Sequence, residues 1–331
     1  MSFDDTVTIA VDAMGGDHAP GVVLEGVASA LEKDEKLQVI LVGPAEVVEP
    51  FASSHARCVA QPATEVIAMD EHPAQAVRKK KDSSIVVGCR AVKEGRAQGF
   101  FSAGSTGACL AGATLGIGRI KGVQRPALCS VIPSPVAPVV MTDIGANADC
   151  KPEYLVQFAR MAAIYAEKIV GIESPRIALL NIGEEDTKGS QFAQQTFELM
   201  KEGVPGFVGN AEGNDIINAR YDVIVTDGFT GNVTLKTIEG TSKALFSALK
   251  EVMTSSLKAK VGGLALKKDL KELKDSINAD TYGGAPLLGV AGVCLVGHGS
   301  SNATAIMNGV LASADMVRKD VAGLIAEAVG K

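Results

Sequence analysis

A short apolar strand, followed by a glycine-containing turn and the start of a helix, recurs along this chain. Residues 221–236 (YDVIVTDGFTGNVTLK) show the unit in full. The β-branched run Val223, Ile224 and Val225 is typical of a strand buried on both faces of a parallel sheet. The turn at 227–232 follows, and apolar residues then resume at helical spacing. Free backbone N–H groups at such a turn can face an anion, because the helix dipole favours negative charge there.

Polar, glycine-containing loops follow five predicted strands. They span residues 12–18, 103–107, 143–149, 227–232 and 297–302. In an open α/β sheet, ligands bind at the carboxyl ends of the strands. If these strands are parallel, the five loops converge on one rim, where small residues and free amides suit a phosphate. Turn chemistry alone explains any single loop, whereas the polar content that all five share favours a binding site.

Side chains in and near these loops are candidate ligands and catalysts. The candidate donors to phosphate oxygens are Ser105, Thr106, Asn147, Asn232, Ser300 and Ser301. Lys188 could add a point charge. Asp17 and His18 could form an oriented acid–base pair. For His18 and His298, the alternative is a capping or solvated histidine with no catalytic role.

The sequence lacks the motifs of several other enzyme classes. It contains no P-loop, no dinucleotide-binding glycine fingerprint after the first strand and no nucleophile elbow. The six cysteines are scattered singly and the four histidines are dispersed, so we expect no disulfide framework, no metal site and no cofactor. Cys150 beside Lys151 could be an activated nucleophile, but an inert buried thiol is favoured because no histidine lies nearby in the sequence.

Charge and hydropathy limit the partners that this chain can have. The net charge of −6 argues against nucleic-acid binding. The most apolar run, residues 285–297, is shorter than the roughly 20 residues that span a bilayer, and it contains Pro286. We therefore expect a soluble, cytoplasmic protein with reduced thiols. Local basic segments, such as residues 76–81, can still form contact surfaces.

Residues 241–280 stand outside the alternation of strands and helices. Apolar residues at helical spacing, interrupted at Gly262 and Gly263, predict a protruding helical hairpin. Seven lysines against three acidic residues between positions 250 and 274 favour a partner or dimer surface. The predicted apolar tip and its flanking lysines also fit a contact with a membrane surface. The residues of this tip are Val261, Leu264 and Leu266, with Lys258, Lys267 and Lys268.

Strands and helices alternate throughout the rest of the chain, and no low-complexity linker separates independent domains. We therefore predict one catalytic unit over residues 1–331, with the hairpin as a part of it. The fold class is α/β, with a mostly parallel sheet between two layers of helices.

Seven strings of the sequence resemble the PlsX family, the bacterial phosphate acyltransferases that make acyl phosphate from acyl-acyl carrier protein. They are AVDAMGGDHAP (10–20), SAGSTGA (102–108), DIGANAD (143–149), LLNIGEEDTKG (179–189), DGFTGNVTLKTIEG (227–240), YGGAPLLG (282–289) and HGSSN (298–302). The resemblance covers essentially the whole chain. Ser105 stands where the family often has Asn, which keeps a hydrogen-bonding group. Asn214 stands where the family often has Arg, which puts any role of the loop 210–215 in doubt.

The resemblance implies a fold similar to isocitrate dehydrogenase and phosphotransacetylase, a homodimer, and a role at the start of phospholipid synthesis. It implies that inorganic phosphate attacks the acyl thioester, so no catalytic triad is needed. On this hypothesis Lys188, Asn232, Ser105 and Thr106 hold phosphate, and His18 or His298 handles the proton. Asp143 and Asp227 orient those donors. Gly15, Gly16 and Gly231 line the same site, and Asp17, Asn147, Ser300 and Ser301 complete it.

The implied carrier protein is acidic, so basic residues should meet it. The candidates are Arg78, Lys79 and the lysines of the hairpin. The location would be the cytoplasm, with association at the inner face of the membrane and a downstream acyltransferase as an open further partner. Two alternatives stay open: a phosphotransacetylase-like enzyme that uses acyl-CoA, and a non-catalytic scaffold at the membrane surface.

Overall fold

One eleven-stranded sheet runs through the computed structural model, which describes residues 5–276 and 282–329. Its strands are β1 (Val7–Asp12), β2 (Leu37–Gly43), β3 (Cys58–Pro62), β4 (Gly99–Ser102), β5 (Ala127–Ile132), β6 (Val139–Thr142), β7 (Ile177–Leu180), β8 (Phe207–Ala211), β9 (Val223–Val225), β10 (Ala285–Leu288) and β11 (Val293–Val296). Their order in the sheet is β3-β2-β1-β4-β11-β10-β5-β6-β9-β7-β8.

Helices cover both faces of this sheet. They are α1 (Gly21–Lys33), α2 (Ala45–Ser54), α3 (Pro73–Lys79), α4 (Ser84–Lys93), α5 (Thr106–Gly112), α6 (Pro152–Tyr165), α7 (Gln191–Gly203), α8 (Gly213–Ile217), α9 (Gly228–Thr254), α10 (Leu257–Ser276), α11 (Ala303–Arg318) and α12 (Val321–Val329). A π-helical turn continues α5 over Ala113–Ile117, and another continues α6 over Ala166–Val170.

Alternating side chains of each strand supply two cores, one on either face of the sheet. In β1, Ile9 and Val11 belong to the core beneath α1, α6 and α11, whereas Ala10 belongs to the core beneath α4 and α5. Successive side chains of a strand point to opposite faces, so a strand that is apolar throughout must be covered on both. The predicted layered α/β/α arrangement is confirmed.

The sheet consists of two parallel blocks that run in opposite directions. The first block is β3, β2, β1, β4 and β11, and the second is β6, β9, β7 and β8. Between them, the ladders β11–β10, β10–β5 and β5–β6 are all antiparallel. Three reversals leave the two blocks opposed, so their carboxyl ends lie at opposite edges of the sheet.

This topology confirms the predicted mostly parallel sheet. It contradicts the prediction that the five polar loops converge on one rim. Loops 12–18, 103–107 and 297–302 follow strands of the first block, whereas loops 143–149 and 227–232 follow strands of the second. The five loops therefore form two groups rather than one. The prediction failed because it assumed that every strand followed by a polar loop runs in the same direction.

The predicted hairpin is present as α9 and α10, with different bounds. Helix α9 begins at Gly228, directly after β9, and the turn between the helices lies at Ser255 and Ser256. Gly262 and Gly263 lie inside α10 rather than at an interruption. The predicted end of the hairpin at residues 277–280 lies outside the described residues. Over the ranges that the structure describes, no helix is both long and apolar enough to cross a membrane.

Candidate functional site

Three loops meet at the carboxyl ends of β1, β4 and β11. We call residues 12–18, 102–107 and 297–302 the first loop group. The N–H of Asp17 donates to the carbonyl of Gly299 at 2.8 Å, which joins the first and third loops. Gly15 lies against the second loop, since a Cβ there would be 2.7 Å from the nitrogen of Gly104. Gly16 has φ +111°, a backbone conformation that favours glycine.

The first loop group exposes backbone donors without acceptors. The Oγ of Ser105 caps α5 by accepting the N–H of Ala108 at 3.4 Å. The next amides are unused, because no described residue accepts the N–H of Ser105, Thr106 or Gly107. Consecutive free amides of this kind form a concavity that suits an anion. The first loop group therefore contains backbone donors of the kind that bind an anion.

His298 has a defined hydrogen-bonding arrangement. The backbone N–H of Ser300 lies 3.2 Å from Nδ1 of His298, and the hydroxyl of Ser300 lies 2.8 Å from the same nitrogen. A backbone N–H can only donate, so Nδ1 accepts and the neutral imidazole carries its proton on Nε2. Ser301 is buried, with its N–H bonded to the carbonyl of His298 at 2.9 Å, so Ser301 shapes the loop.

Asp17 and His18 are both exposed at the rim of this loop group. Among the described residues, no hydrogen bond joins their side chains, so the predicted acid–base pair is not formed here. The carboxylate of Asp17 lies beside Gly299 instead, where a built Cβ would be 3.3 Å from Oδ1. His18 remains a solvent-facing imidazole at the entrance to α1.

Asp12 and Ser102 form a buried polar pair beneath the first loop group, and sequence reasoning did not single them out. Asp12 is 2% exposed and Ser102 is 0% exposed. Burial raises the pKa of the Asp12 carboxyl, and hydrogen bonds from Ser84, Ser102 and Met14 oppose that shift. The only sequence signal was an aspartate at the end of an apolar strand, just before a glycine turn.

The loops after β6, β7 and β9 form a second loop group, comprising residues 143–149, 181–190 and 226–232. Asp143 at its centre is 0% exposed. It accepts N–H groups of Leu128, Gly145, Ala146 and Asn147 at 2.8–3.1 Å. Burial raises the pKa of this carboxyl. Asp143 is therefore too buried to contact a ligand, and it orients the loop around it.

Three of the four amides at positions 228–231 are already in use. Asp227 caps the helix by accepting the N–H of Thr230 at 2.9 Å. The N–H of Gly228 donates to the carbonyl of Asn147 at 2.8 Å, and the N–H of Gly231 donates to the carbonyl of Asp227 at 2.9 Å. Carboxylate and carbonyl oxygens of the protein therefore accept three of these amides, and among the described residues only the N–H of Phe229 has no acceptor in this turn.

Lys188 and Asn232 belong to the second loop group and lie apart from the first. Both are exposed. Asn232 lies beside Gly145, where a built Cβ would be 3.7 Å from its Cβ, and the stem of Lys188 packs on Gly183. Within the described ranges, no hydrogen bond connects the two loop groups. The opposed strand directions place these two residues at the other edge of the sheet from Ser105 and Thr106.

The basic segment at residues 76–81 adjoins the first loop group. Its helix α3 begins at Pro73, which packs so closely on Gly107 that a Cβ there would be 2.5 Å from the proline ring. Arg78 and Lys79 are exposed at the other end of this helix. Lys80 is held by Glu71 in an ion pair of 2.6 Å. The two exposed cations thus lie on the helix that packs on the first loop group, at the end away from that contact.

Cys150 is not an activated nucleophile. Its thiol is half-buried, and burial raises its pKa to about 11. A thiol with this pKa is protonated at neutral pH, whereas a nucleophilic cysteine needs the thiolate. The alternative reading of Cys150 as an inert structural thiol is the one that the geometry supports.

Sequence comparison places relatives across nearly the whole chain. The family model described as a fatty acid synthesis protein matches residues 7–324. A phosphate acyltransferase from Desulfitobacterium hafniense (strain Y51) is 50% identical over 313 residues, which cover 93% of this chain and 93% of that protein. A phosphate acyltransferase from Heliobacterium modesticaldum is 48% identical over 324 residues and covers 96% of each chain.

Solved structures with a similar fold include two enzymes of acyl transfer. A phosphotransacetylase from Streptococcus pyogenes matches with a TM-score of 0.60 and 16% identity, over 95% of this chain and 96% of that one. A branched-chain phosphotransacylase from Enterococcus faecalis matches with a TM-score of 0.54 and 15% identity, over 95% and 99%. At such identities the likeness concerns the fold alone, and it confirms the expected phosphotransacetylase-like architecture.

Proposed function

This chain belongs to the PlsX family of phosphate acyltransferases, and we propose that it transfers the acyl group of acyl-acyl carrier protein to inorganic phosphate. The acyl phosphate formed then enters phospholipid synthesis. Identity of 50% over 93% of the chain to a phosphate acyltransferase carries the proposal. The free amides of the first loop group support its phosphate half.

Phosphate is itself the nucleophile in this reaction. One of its oxygens bonds to the thioester carbonyl carbon, the carbon–sulfur bond breaks, and the carrier thiolate leaves and takes up a proton. The protein must position two reactants and stabilise the developing oxyanion. The free N–H groups of Ser105, Thr106 and Gly107 supply donors, and the Nε2–H of His298 can give the leaving thiolate its proton.

The direct test is phosphate-dependent consumption of an acyl-acyl carrier protein thioester. We expect release of the carrier thiol and formation of an acyl phosphate that hydroxylamine traps, both rising with phosphate concentration. Absence of phosphate-dependent thioester loss would overturn the proposal. Equal or faster turnover of acyl-CoA in parallel would favour the phosphotransacetylase-like alternative instead.

The acidic carrier protein would dock on α3. Arg78 and Lys79 are exposed there, and the same helix packs on the first loop group through Pro73. Opposite charge across such a contact favours association and makes it salt-dependent. Reversing both charges (Arg78→Glu with Lys79→Glu) should raise KM for the acylated carrier and leave KM for phosphate unchanged. Lys33→Glu on the exposed face of α1 is the matched control.

A second copy of the chain would cover the apolar side of α9. Ile238 packs on the core of the body. The same helical stripe then continues as Leu245, Leu249 and Val252, which are 67%, 37% and 65% exposed. An uncovered stripe of this kind marks a contact surface. Leu245→Glu should convert dimer to monomer in sedimentation, whereas Lys243→Glu, on another side of α9, should not.

In the same dimer, Lys188 and Asn232 would contact a phosphate bound by the other copy. Helix α9 starts in the second loop group, at Gly228, so contact between copies through α9 holds that loop group near the interface. We propose that Lys188 and Asn232 act in the first loop group of the neighbouring copy. This arrangement would reconcile their predicted role with their distance from Ser105 within one chain.

The hairpin also offers a membrane contact at the cytoplasmic face. Val261, Leu264 and Leu266 are 73%, 73% and 53% exposed on α10. The lysines of that helix, Lys258, Lys267 and Lys268, are exposed as well. Co-sedimentation with anionic vesicles should be lost in a Val261→Glu/Leu264→Glu double variant. Vesicle binding by a protein without phosphate-dependent thioester loss would favour the scaffold alternative.

A further inference from the structure

We propose that Asp12 and Ser102 are positioning residues that hold two loops of the phosphate site in register and thereby set its affinity for phosphate. The inference rests on the proposed function, because it assumes that phosphate binds in the first loop group. Neither side chain is exposed enough to touch a substrate, so both act through the backbone of the loops.

The directions of the hydrogen bonds are fixed. Ser102 Oγ accepts the backbone N–H of Gly104 at 3.0 Å. Its single proton therefore goes to Oδ2 of Asp12, which lies 2.7 Å away. The other oxygen, Oδ1 of Asp12, accepts the N–H of Met14 at 3.0 Å. One continuous chain of hydrogen bonds thus joins the loop after β1 to the loop after β4.

The two loops that this chain joins are in backbone contact. A Cβ on Gly15 would lie 2.7 Å from the nitrogen of Gly104 and 2.8 Å from Oγ of Ser102. There is no room for either loop to shift toward the other. The hydrogen bonds in turn prevent the loops from moving apart, so the spacing is set from both sides.

Gly104 directly precedes the three amides that have no acceptor. Bonding of the Gly104 N–H to Ser102 turns that peptide inward and leaves the N–H groups of Ser105, Thr106 and Gly107 free to face a ligand. Without the bond, rotation at Gly104 would change the direction of all three. Phosphate affinity depends on these directions, because hydrogen bonds weaken steeply with misalignment.

A purely structural role explains the pair less well. Burying a carboxylate costs free energy that an apolar pair of the same volume would not incur. Ser313 provides a comparison, since it is another fully buried serine, in α11, whose hydroxyl donates to the carbonyl of Gly309 at 2.8 Å. Its hydrogen bond stays within one helix and orders no loop.

The test compares Ser102→Ala and Asp12→Asn with Ser313→Ala. In Asp12→Asn, the remaining Oδ1 can still accept the N–H of Met14. The new NH2 group then takes the place of Oδ2 and faces the hydroxyl proton of Ser102, so two donors oppose each other. Both site variants should raise KM for phosphate by about tenfold, the effect of weakening one or two hydrogen bonds to an anion. KM for the acylated carrier should stay unchanged, and Ser102→Thr should restore phosphate affinity.

Ser313→Ala should lower Tm by about as much as Ser102→Ala does, and it should leave KM for phosphate unchanged. A Ser102→Ala enzyme with wild-type KM for phosphate and a lowered Tm would show that the pair is structural only. The rise in Tm with added inorganic phosphate measures phosphate binding. It distinguishes failure of this inference from failure of the proposed function. A wild-type protein that binds phosphate without turnover contradicts the proposed function alone, while no phosphate-dependent rise in Tm contradicts both.

Discussion

At the scale of single residues, two buried aspartates shape the two loop groups in the same way. Asp12 and Asp143 each stand at the end of a strand, and each accepts donors from the loop that follows and from a neighbouring strand. Asp12 also accepts a hydrogen bond from Ser84 of α4. Both have a raised pKa because burial penalises the charged form. Their role is to fix backbone direction rather than to contact a substrate.

Asp143→Asn should destabilise the fold. Oδ2 of Asp143 accepts two donors from Asn147, its backbone N–H and its side-chain amide, each at 2.8 Å. In an asparagine, an NH2 group replaces one of the two oxygens. It would face either the two donors of Asn147 or the N–H groups that donate to Oδ1. Leaving buried donors unpaired should lower the free energy of unfolding by about 2–4 kcal/mol, measured by urea denaturation.

The difference in free energy of unfolding between the wild type and Asp143→Asn should depend on pH. Burial raises the folded-state pKa of Asp143 above 3.8, the ordinary value for an aspartate, so the folded state binds a proton more tightly than the unfolded state does. The contribution of this carboxyl to stability is full below pH 3.8 and is lost as pH rises through the raised value. The stability advantage of wild type over Asp143→Asn should therefore shrink as pH rises above 3.8. A constant difference would contradict the assignment.

His298 carries the prediction about the chemical step. Its neutral imidazole holds the proton on Nε2, since Nδ1 accepts the N–H of Ser300. If this proton reaches the leaving thiolate, His298→Ala should lower kcat by about a hundredfold, the lower range for general acid catalysis. His18→Ala is the comparison, because His18 lies exposed at the rim. Loss of activity in His18→Ala alone would transfer the role to that residue.

At the scale of helices and strands, apolar runs ahead of polar loops were sufficient to predict β1, β4, β6, β9 and β11. Strand β5 could not be predicted in this way, because Pro126 and Pro133, which lie just outside the strand, are typical of a loop. Helix α2 could not be predicted either, because it contains Pro50 in its interior. Proline marks a break by its local geometry, and tertiary packing can override it at an edge or near a helix end.

The turn of the hairpin was misplaced for a related reason. Gly262 and Gly263 indicated an interruption, but each glycine costs an exposed helix only about 1 kcal/mol relative to alanine. Gly263 also lies close to α9, because a built Cβ would be 2.9 Å from the methyl of Met253 and 3.4 Å from its carbonyl oxygen. The glycine therefore permits a close approach of two helices rather than a bend.

Helices α1 and α11 depend on a similar approach at Gly26. A Cβ there would lie 2.6 Å from Cβ of Ile306 and 2.7 Å from the carbonyl of Ala303. Gly26→Ala should lower the free energy of unfolding by about 1–3 kcal/mol through overpacking. Gly240→Ala is the matched control, because no atom of the described residues lies within 4 Å of a Cβ at that helical position. It should leave stability unchanged or raise it by up to about 1 kcal/mol.

At the scale of the whole molecule, the directions of the strands decide which candidate residues meet. Sequence reasoning placed His298, Ser105 and Thr106 near one another, and the first loop group brings them together. It placed Lys188 and Asn232 with them, and the topology separates them. A strand's own residues do not encode the direction in which its neighbour runs, so this part of the site could not be predicted from the sequence.

Mixed dimers test whether the two loop groups work across copies. Lys188→Ala and Ser102→Ala change different loop groups, so each homodimer should have a raised KM for phosphate. If sites are shared, dimers that contain one copy of each variant have one site with both defects and one site with none. Mixing the two variants should then give a fraction of sites with the wild-type KM for phosphate. No recovery on mixing would place each site within one copy, and wild-type kinetics of Lys188→Ala would remove that residue from the site.

The junction between the two blocks has a mechanical consequence. Strand β10 pairs with β11 over two residues and with β5 over two more, the fewest registered pairs among the ladders described, whereas β1 and β2 share six. Each loop group lies wholly on one side of this narrow junction. A rotation about β10 would thus alter the angle between the halves and leave each group undistorted, so the sheet itself could serve as a hinge.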